Sequence, residues 1–343
     1  MRLYFVGLDA LSANIVLAEE YHNRWPNFKE FLNSGIYGKS ECEESFMFTG
    51  PSWTSIYTGQ PTKIHMVTDL WGRPINGGQT FSTVKAPYIW DIINKHGISC
   101  GVITMPITYP ARKLNGYMIS GFPSPKLSFT GDITVPEGFI VDHSQLIRLT
   151  DRIEGKGYVF HDKYTLEEDI ELMKRSELEK ISFVSQLTAQ YEVEALFVQY
   201  SCLDRIGHEL NNYARRGIPY DHNRILEMYD WFDAECLPQI LKIEADYRVI
   251  ISDHGWKSLQ QASPGRRFDG ASVWGEHDIG GVIAINGQDI PACTQLNGRN
   301  IDVLPTILDA LGLPPEDVAG QSILIRSSEL TEINSQLSSL GYI

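Results

Sequence analysis

No stretch of this chain is apolar for long enough to cross a membrane, no two cysteines lie close together, and neither an internal repeat nor a low-complexity tract interrupts its 343 residues. The first absence excludes a helical membrane protein and a membrane partner of that kind. The five cysteines, Cys42, Cys100, Cys202, Cys236 and Cys293, are odd in number and scattered. That pattern excludes a disulfide framework and fits reduced thiols in a cytoplasmic protein. Met1-Arg2 leads straight into the apolar Leu3–Leu8, which is too short for the core of a secretion signal. Basic residues are in deficit: 29 Lys and Arg stand against 43 Asp and Glu, a net charge of −14. Such a surface repels nucleic-acid backbones and argues against a DNA or RNA polymer as partner. Bound cations would reverse the sign locally, which leaves a small phosphorylated substrate open.

What the chain has in quantity is core material, with 43% hydrophobic and 21% charged residues. Apolar runs at Leu3–Leu8, Ser99–Thr104, Gly116–Ser120, Ala195–Tyr200, Tyr247–Ser252 and Val282–Asn286 predict strands. Helical patterns lie between them: Pro51–Tyr57, Tyr88–Lys95 stopped by Gly97, Leu166–Tyr191, Tyr220–Leu241 with a break near Pro238, and Val303–Leu311 stopped by Gly312. Alternation of this kind predicts an α/β fold, a mostly parallel sheet covered by helices on both faces. Residues 1–343 read as one catalytic domain, with a small inserted lobe over 123–163 near the mouth of the site, where the periodicity weakens.

Three acids, Asp9, Asp204 and Asp253, fall at or just past the carboxyl ends of expected strands, the edge where α/β sheets bind ligands. An aspartate there is more often a turn former or helix cap. Histidines change the balance. Asp204-Arg-Ile-Gly-His208 sets an imidazole four residues from one acid across a turn containing glycine, Asp253-His254 are adjacent, and His277 lies in Gly275-Glu-His-Asp278. Glu276 and Asp278 are candidates to orient the His277 ring. The set is enough for two divalent ions that keep open positions, the mark of a catalytic site. Thr49 precedes the helix expected from Pro51. It is either that helix's cap or a hydroxyl nucleophile activated by a metal and by the helix amino end.

The segments Val6-Gly7-Leu8-Asp9, Thr49-Gly-Pro-Ser-Trp-Thr-Ser-Ile-Tyr-Thr-Gly59 followed by His65, Asp204-Arg-Ile-Gly-His208, Ser252-Asp-His-Gly255 and Gly275-Glu-His277 resemble the alkaline phosphatase superfamily. Within it they are most similar to the type I phosphodiesterase/nucleotide pyrophosphatase branch, in order from Asp9 to about Gly320. The resemblance implies that Asp9, Asp253 and His254 bind one metal, and that Asp204, His208 and His277 bind the other. Thr49 would then attack phosphorus in line and form a phosphothreonine intermediate. Zinc is the ion implied, and the Asp/His donors also admit manganese.

Two positions depart from the nucleotide-cleaving relatives. Gly50 stands where an aromatic residue commonly stacks on a base, and Leu70 where an asparagine holds a phosphoryl oxygen. Arg73 is the expected substitute for that asparagine. Trp71, Tyr109 and Phe122 are candidate pocket walls. Sulfatases share the fold, but Thr49 replaces their cysteine or serine and Trp53 their arginine. A mutase-like transferase needs a more basic insert than 123–163 supplies, and a non-catalytic zinc-stabilised binding protein has no use for the nucleophile segment. With Arg73 as the cation and Gly50 opening space, the expected reaction is cleavage of a phosphodiester or phosphoanhydride, with phosphomonoester hydrolysis as the alternative.

Overall fold

Every residue of β1 (Leu3–Leu8) is buried, yet its side chains serve two different cores. Tyr4, Val6 and Leu8 point into one apolar cluster, Leu3 and Phe5 into another. That is the period-two signature of a strand covered on both faces. The computed structural model describes residues 1–21, 23–68, 84–122, 128–135, 165–215, 223–256 and 277–340. Its further strands are β2 (Ile36–Glu41), β3 (Cys100–Ile103), β4 (Gly116–Ile119), β5 (Phe129–Thr130), β6 (Ala195–Tyr200), β7 (Tyr247–Ile251), β8 (Gly255–Trp256), β9 (His277–Asp278), β10 (Gly280–Gly287), β11 (Thr294–Gln295) and β12 (Gly298–Arg299). The main helices are α1 (Pro26–Asn33), α2 (Thr49–Thr58), α3 (Ile89–Lys95), α4 (Leu166–Gln190), α5 (Cys202–Arg215), α6 (Asn223–Trp231), α7 (Val303–Ala310) and α8 (Ser327–Ser339).

The sheet runs in the order β11-β2-β10-β7-β1-β6-β3-β4-β5, with β12 also on β2. Its centre is parallel from β7 to β4, and antiparallel pairs flank it at β10 and β5. The predicted α/β class and mostly parallel sheet are what the chain forms. Residues of α1, α4 and α6 pack in one cluster, and residues of α2, α3 and α7 in the other. Register fixes the functional edge: Leu8 lies opposite Tyr200 and Gly7 opposite Ile251, so the chain leaves β1, β6 and β7 side by side.

Most predicted strands match to within a residue or two, because their apolar runs are long and bounded. The helix expected over 220–241 is divided earlier than Pro238. It consists of α6, a π-helical turn over Phe232–Cys236 and a last turn over Leu237–Ile240. A wide turn ahead of the proline absorbs its missing N–H. The segment Asp204–His208, read as a turn, lies within the first two turns of α5. Of the lobe expected over 123–163, residues 128–135 are described, and there β5 adds an edge to the main sheet; the remainder lies outside the described residues. No described helix is long and apolar enough to cross a membrane.

His65, part of the resembling motif, turns out to be structural. Its Nδ1 accepts from Val67 N at 3.1 Å, so its Nε2 carries the proton towards Ser55 Oγ, 3.1 Å away. Burial lowers its pKa from 6.5 to about 4. A group depressed in this way binds fewer protons folded than unfolded between those values. Stability is therefore complete above pH 6.5 and is lost as pH falls towards 4, by up to about 3 kcal/mol. Urea titrations of the wild type and of His65→Gln across this window are expected to diverge by that slope; parallel curves would show that His65 stays protonated in the fold.

Candidate active site

Three strand ends deliver the acids. Asp9 follows β1, and its N–H donates to Tyr200 O at 2.9 Å; Asp204 opens α5 after β6; Asp253 follows β7. All three are buried. Neither Asp9 nor Asp253 is spent as an ordinary turn former. Asp9 Oδ2 accepts from Gln199 Nε2 at 2.9 Å, and Asp253 Oδ1 accepts from Ala10 N at 3.3 Å. Their other oxygens, Asp9 Oδ1 and Asp253 Oδ2, are buried without a hydrogen-bond partner, as is Asp204 Oδ1.

The histidines repeat the pattern. His277 Nδ1 donates to Met47 O at 2.8 Å, which fixes the tautomer and turns Nε2 inward. His254 Nδ1 lies 3.4 Å from Gly255 O. Both Nε2 atoms are buried without a partner. His254 Nε2 stands 3.3 Å from Asp253 Oδ2 and 3.6 Å from Asp9 Oδ1, and His277 Nε2 stands 3.6 Å from Asp204 Oδ1. His208 Nε2, one turn along α5 from Asp204, is 3.3 Å from the same oxygen. Two donors about 2.0–2.1 Å from a tetrahedral ion are roughly 3.3 Å apart, so these separations suit a shared cation.

The donors form two overlapping groups, Asp9, Asp253 and His254, and Asp204, His254 and His277, each within 4.8 Å. The first coincides with the set implied by the resemblance. In the second, His254 stands with Asp204 and His277, its ring stacked on His277 at 3.9 Å, while His208 joins through Asp204. Five buried donor atoms face one another without a hydrogen-bond partner, which makes the cluster a candidate cation site.

Charge leads to the same place. Burial, then the charge of Asp204, pushes the Asp9 carboxyl well above the carboxylate range, and burial with the charges of Asp9 and Asp204 does the same to Asp253. Burial also weighs on Asp204, but His208 and His277 outweigh it and hold that acid well below its usual value. His254 is lowered far by burial and by His277, so its ring is neutral and can donate a lone pair.

Thr49 is the first residue of α2, a helix whose ten residues are all buried. Phe48 occupies the cap position and no side chain caps the helix, so the Thr49 hydroxyl is not a cap. Three other hydroxyls of the segment are committed to backbone carbonyls. Thr54 Oγ1 donates to Gly50 O, Thr58 Oγ1 to Thr54 O, and Ser52 Oγ to Phe46 O, at 2.7, 2.7 and 3.2 Å. Trp53 shares a face with Thr49 at i, i+4. A Cβ on Gly7 would sit 2.5 Å from the Trp53 ring. That close approach presses α2 onto β1 two residues ahead of Asp9, and the carbonyl of Met47, two residues before Thr49, lies 2.8 Å from His277 Nδ1.

Gly50 is buried beside Thr49. Tyr109 is half-buried in the loop after β3, on the same sheet edge. Leu70, Trp71, Arg73 and Glu276 lie outside the described residues. Asp278 accepts from Gly280 N at 2.9 Å, and the Met47 carbonyl holds the His277 ring in its place. Sequence reasoning also missed Gln199, Asn300 and Trp256. Asn300 Nδ2 donates to Asp253 O at 2.6 Å, and Trp256 packs edge-on against His208 and His277 with centroids 5.3 and 4.8 Å away. No spacing or strand-end position marks these residues, because their roles arise only on folding.

Tyr229 is a further omission. Its hydroxyl accepts from Ser12 N at 3.0 Å and donates to Ala10 O at 3.1 Å, clamping the turn after Asp9 in which Ala10 has φ of 58°. That left-handed angle is unfavourable for a residue with a side chain. Tyr229→Phe leaves two buried backbone groups unpaired. It is expected to cost about 1–3 kcal/mol in urea unfolding and to weaken metal retention against a chelator about tenfold or more.

Residues 3–300 match the type I phosphodiesterase / nucleotide pyrophosphatase family. A 2,3-bisphosphoglycerate-independent phosphoglycerate mutase from a Synechococcus strain is 30% identical over 166 residues, a stretch spanning 45% of this chain and 28% of that enzyme's length. Among solved structures, murine ectonucleotide pyrophosphatase / phosphodiesterase 5 superposes with a TM-score of 0.54 at 12% identity, covering 93% of this chain and 97% of the other. A phosphonate monoester hydrolase from Silicibacter pomeroyi gives a TM-score of 0.52 at 15% identity over 94% and 75% of the two chains. At such identities these likenesses concern the fold.

Proposed function

The chain belongs to the type I phosphodiesterase/nucleotide pyrophosphatase family, and from that premise we propose that it hydrolyses phosphodiester or phosphoanhydride bonds of a small phosphorylated molecule, with Thr49 as the nucleophile. The observation that carries this reading is the convergence of five partnerless buried donor atoms at the strand edge, next to the helix that begins with Thr49. Asp9, Asp253 and His254 would hold one divalent ion and Asp204, His208 and His277 a second, zinc by donor type with manganese the alternative. Such ions, when bound, lower the pKa of a coordinated hydroxyl and offset charge on phosphoryl and leaving oxygens.

The Thr49 oxygen gives up its proton and forms a bond to phosphorus as the opposite P–O bond breaks, and the electron pair leaves with the departing group. Water then attacks the phosphothreonine, the Thr49 oxygen regains a proton, and phosphate or a phosphate ester is released. The first amides of α2 have no intrahelical acceptor and suit the equatorial phosphoryl oxygens. Gly50, beside the nucleophile, leaves room for a second substituent. A cytoplasmic setting is supported by cysteines that are all unpaired, four of them buried.

Hydrolysis of p-nitrophenyl phosphate, bis(p-nitrophenyl) phosphate and thymidine 5′-p-nitrophenyl phosphate, each with and without chelator, tests ester class and metal dependence together. Turnover of none of the three by metal-loaded protein would remove the reading.

A further inference from the structure

The buried face of α4 is an apolar stripe at helical spacing, made by Ile170, Met173, Ile181, Val184 and Leu187. Two charged residues interrupt it, Glu177 and Lys180, which are only 5% and 3% exposed. Charges in such a place are costly to keep, and what these two meet is the junction between β6 and α5. Glu177 Oε1 accepts from Cys202 N at 3.2 Å. Lys180 Nζ lies 5.4 Å from the centroid of the Tyr200 ring. Both charges bear on the Cys202 thiol, in opposite senses.

Cys202 is the first residue of α5 and Asp204 the third. The helix opens with a bond from Arg205 N to Ser201 O at 3.1 Å, and the Cys202 amide is one of those with no acceptor inside the helix. A carboxylate there meets the positive end of the helix dipole and accepts a charge-assisted bond. An acid at the third position of a helix often turns back to serve its free amides. Here Glu177 reaches across from another helix to serve one of them. Asp204 Oδ1 faces His208 and His277 instead, at 3.3 and 3.6 Å. On the other side of the junction, Tyr200 O accepts from Asp9 N at 2.9 Å. The segment 200–202 is thus tied at one end to Asp9 and at the other to Glu177, with Asp204 two residues on.

We propose that Glu177 is a positioning residue for the metal centre. By holding the Cys202 amide it fixes the first turn of α5, and with it the direction in which Asp204 and His208 present their donors to the second ion. The inference rests on the metal-site reading above and adds to it a residue outside the donor set, which acts through the backbone.

The test loads wild type, Glu177→Leu, Glu177→Gln and Asp233→Asn with Co2+. Chelator competition gives the Kd of each ion, and the visible spectrum reports the ligand field around it. The ion lost in Asp204→Asn identifies the second group. Asp233 is the matched control: it serves the amino end of α1 from outside in the same way, accepting from Phe28 N at 2.7 Å and Asn27 N at 3.3 Å, and α1 carries none of the donors. Glu177→Leu is expected to weaken the second ion by about 10–100-fold and to shift its absorption bands, with the first ion changed less than about threefold. Glu177→Gln keeps an oxygen for the Cys202 amide but not the charge, and should fall between, at about 3–10-fold. Asp233→Asn should lower stability in urea and change neither Kd by more than about twofold.

An unchanged second ion in Glu177→Leu overturns the assignment, as does equal weakening of both ions or an equal effect from Asp233→Asn. So does a glutamine value that matches either wild type or leucine. If the leucine variant does not fold, the glutamine variant decides against wild type and Asp233→Asn by the same criteria. Wild type that binds no divalent ion removes the metal-site reading and this inference with it. Selective loss of the second ion in a protein that hydrolyses no ester would keep the role of Glu177 and reject the hydrolase.

Discussion

Thr49→Ala is expected to lower turnover of the best p-nitrophenyl ester by at least about three orders of magnitude, with metal content unchanged. The magnitude follows from what the hydroxyl would do, since a methyl group cannot form the bond to phosphorus and no neighbouring side chain on α2 replaces it. Thr54, Ser52 and Ser55 are committed to Gly50 O, Phe46 O and His65. The fold should tolerate the change, because the Thr49 hydroxyl does not cap its helix. Thr49→Ser keeps the oxygen and should keep measurable activity, and rapid acid quenching of wild type should leave phosphate on Thr49. A fully active alanine variant would transfer the attack to water and end the phosphothreonine mechanism.

Stripping the metals has the second-largest expected effect. The three buried acids and their histidines face one another with five partnerless atoms, so removing a cation leaves like charges confined together or forces protons onto Asp9 and Asp253. Bound ions at a thousandfold excess over their Kd stabilise by about 4 kcal/mol. For a chain of this size chelation should therefore lower Tm by roughly 5–10 °C and abolish hydrolysis. Adding back zinc or manganese should restore both. If dialysed protein, free of divalent ions by elemental analysis, melts at the same temperature and still turns over substrate, the donor cluster is not a metal site.

Much of the architecture was legible because burial on both faces writes itself as unbroken apolar strands. Leu3–Leu8 and Ala195–Tyr200 came out residue for residue. The acids were legible for a related reason, since a carboxylate ending such a run has to emerge at one sheet edge. What was illegible depends on distance in the chain. Nothing in the sequence announces that Gln199 will hold Asp9, that a backbone carbonyl at Met47 will orient His277, or that Tyr229 will clamp Ala10. The π-helical turn at Phe232–Cys236 was likewise hidden, because Pro238 marks that a break is needed but not where the chain makes it.

The two-residue ribbon of β8 and β9 pairs Gly255 with Asp278 and Trp256 with His277. It ties both ends of the connection 257–276 together at its base, so the loop-closure cost of whatever lies between grows only slowly with length. The ribbon thus gives the strand after His254 and the strand that begins with His277 a common backbone frame, so the spacing of the two imidazoles is set by paired main chain rather than by the length of chain that joins them.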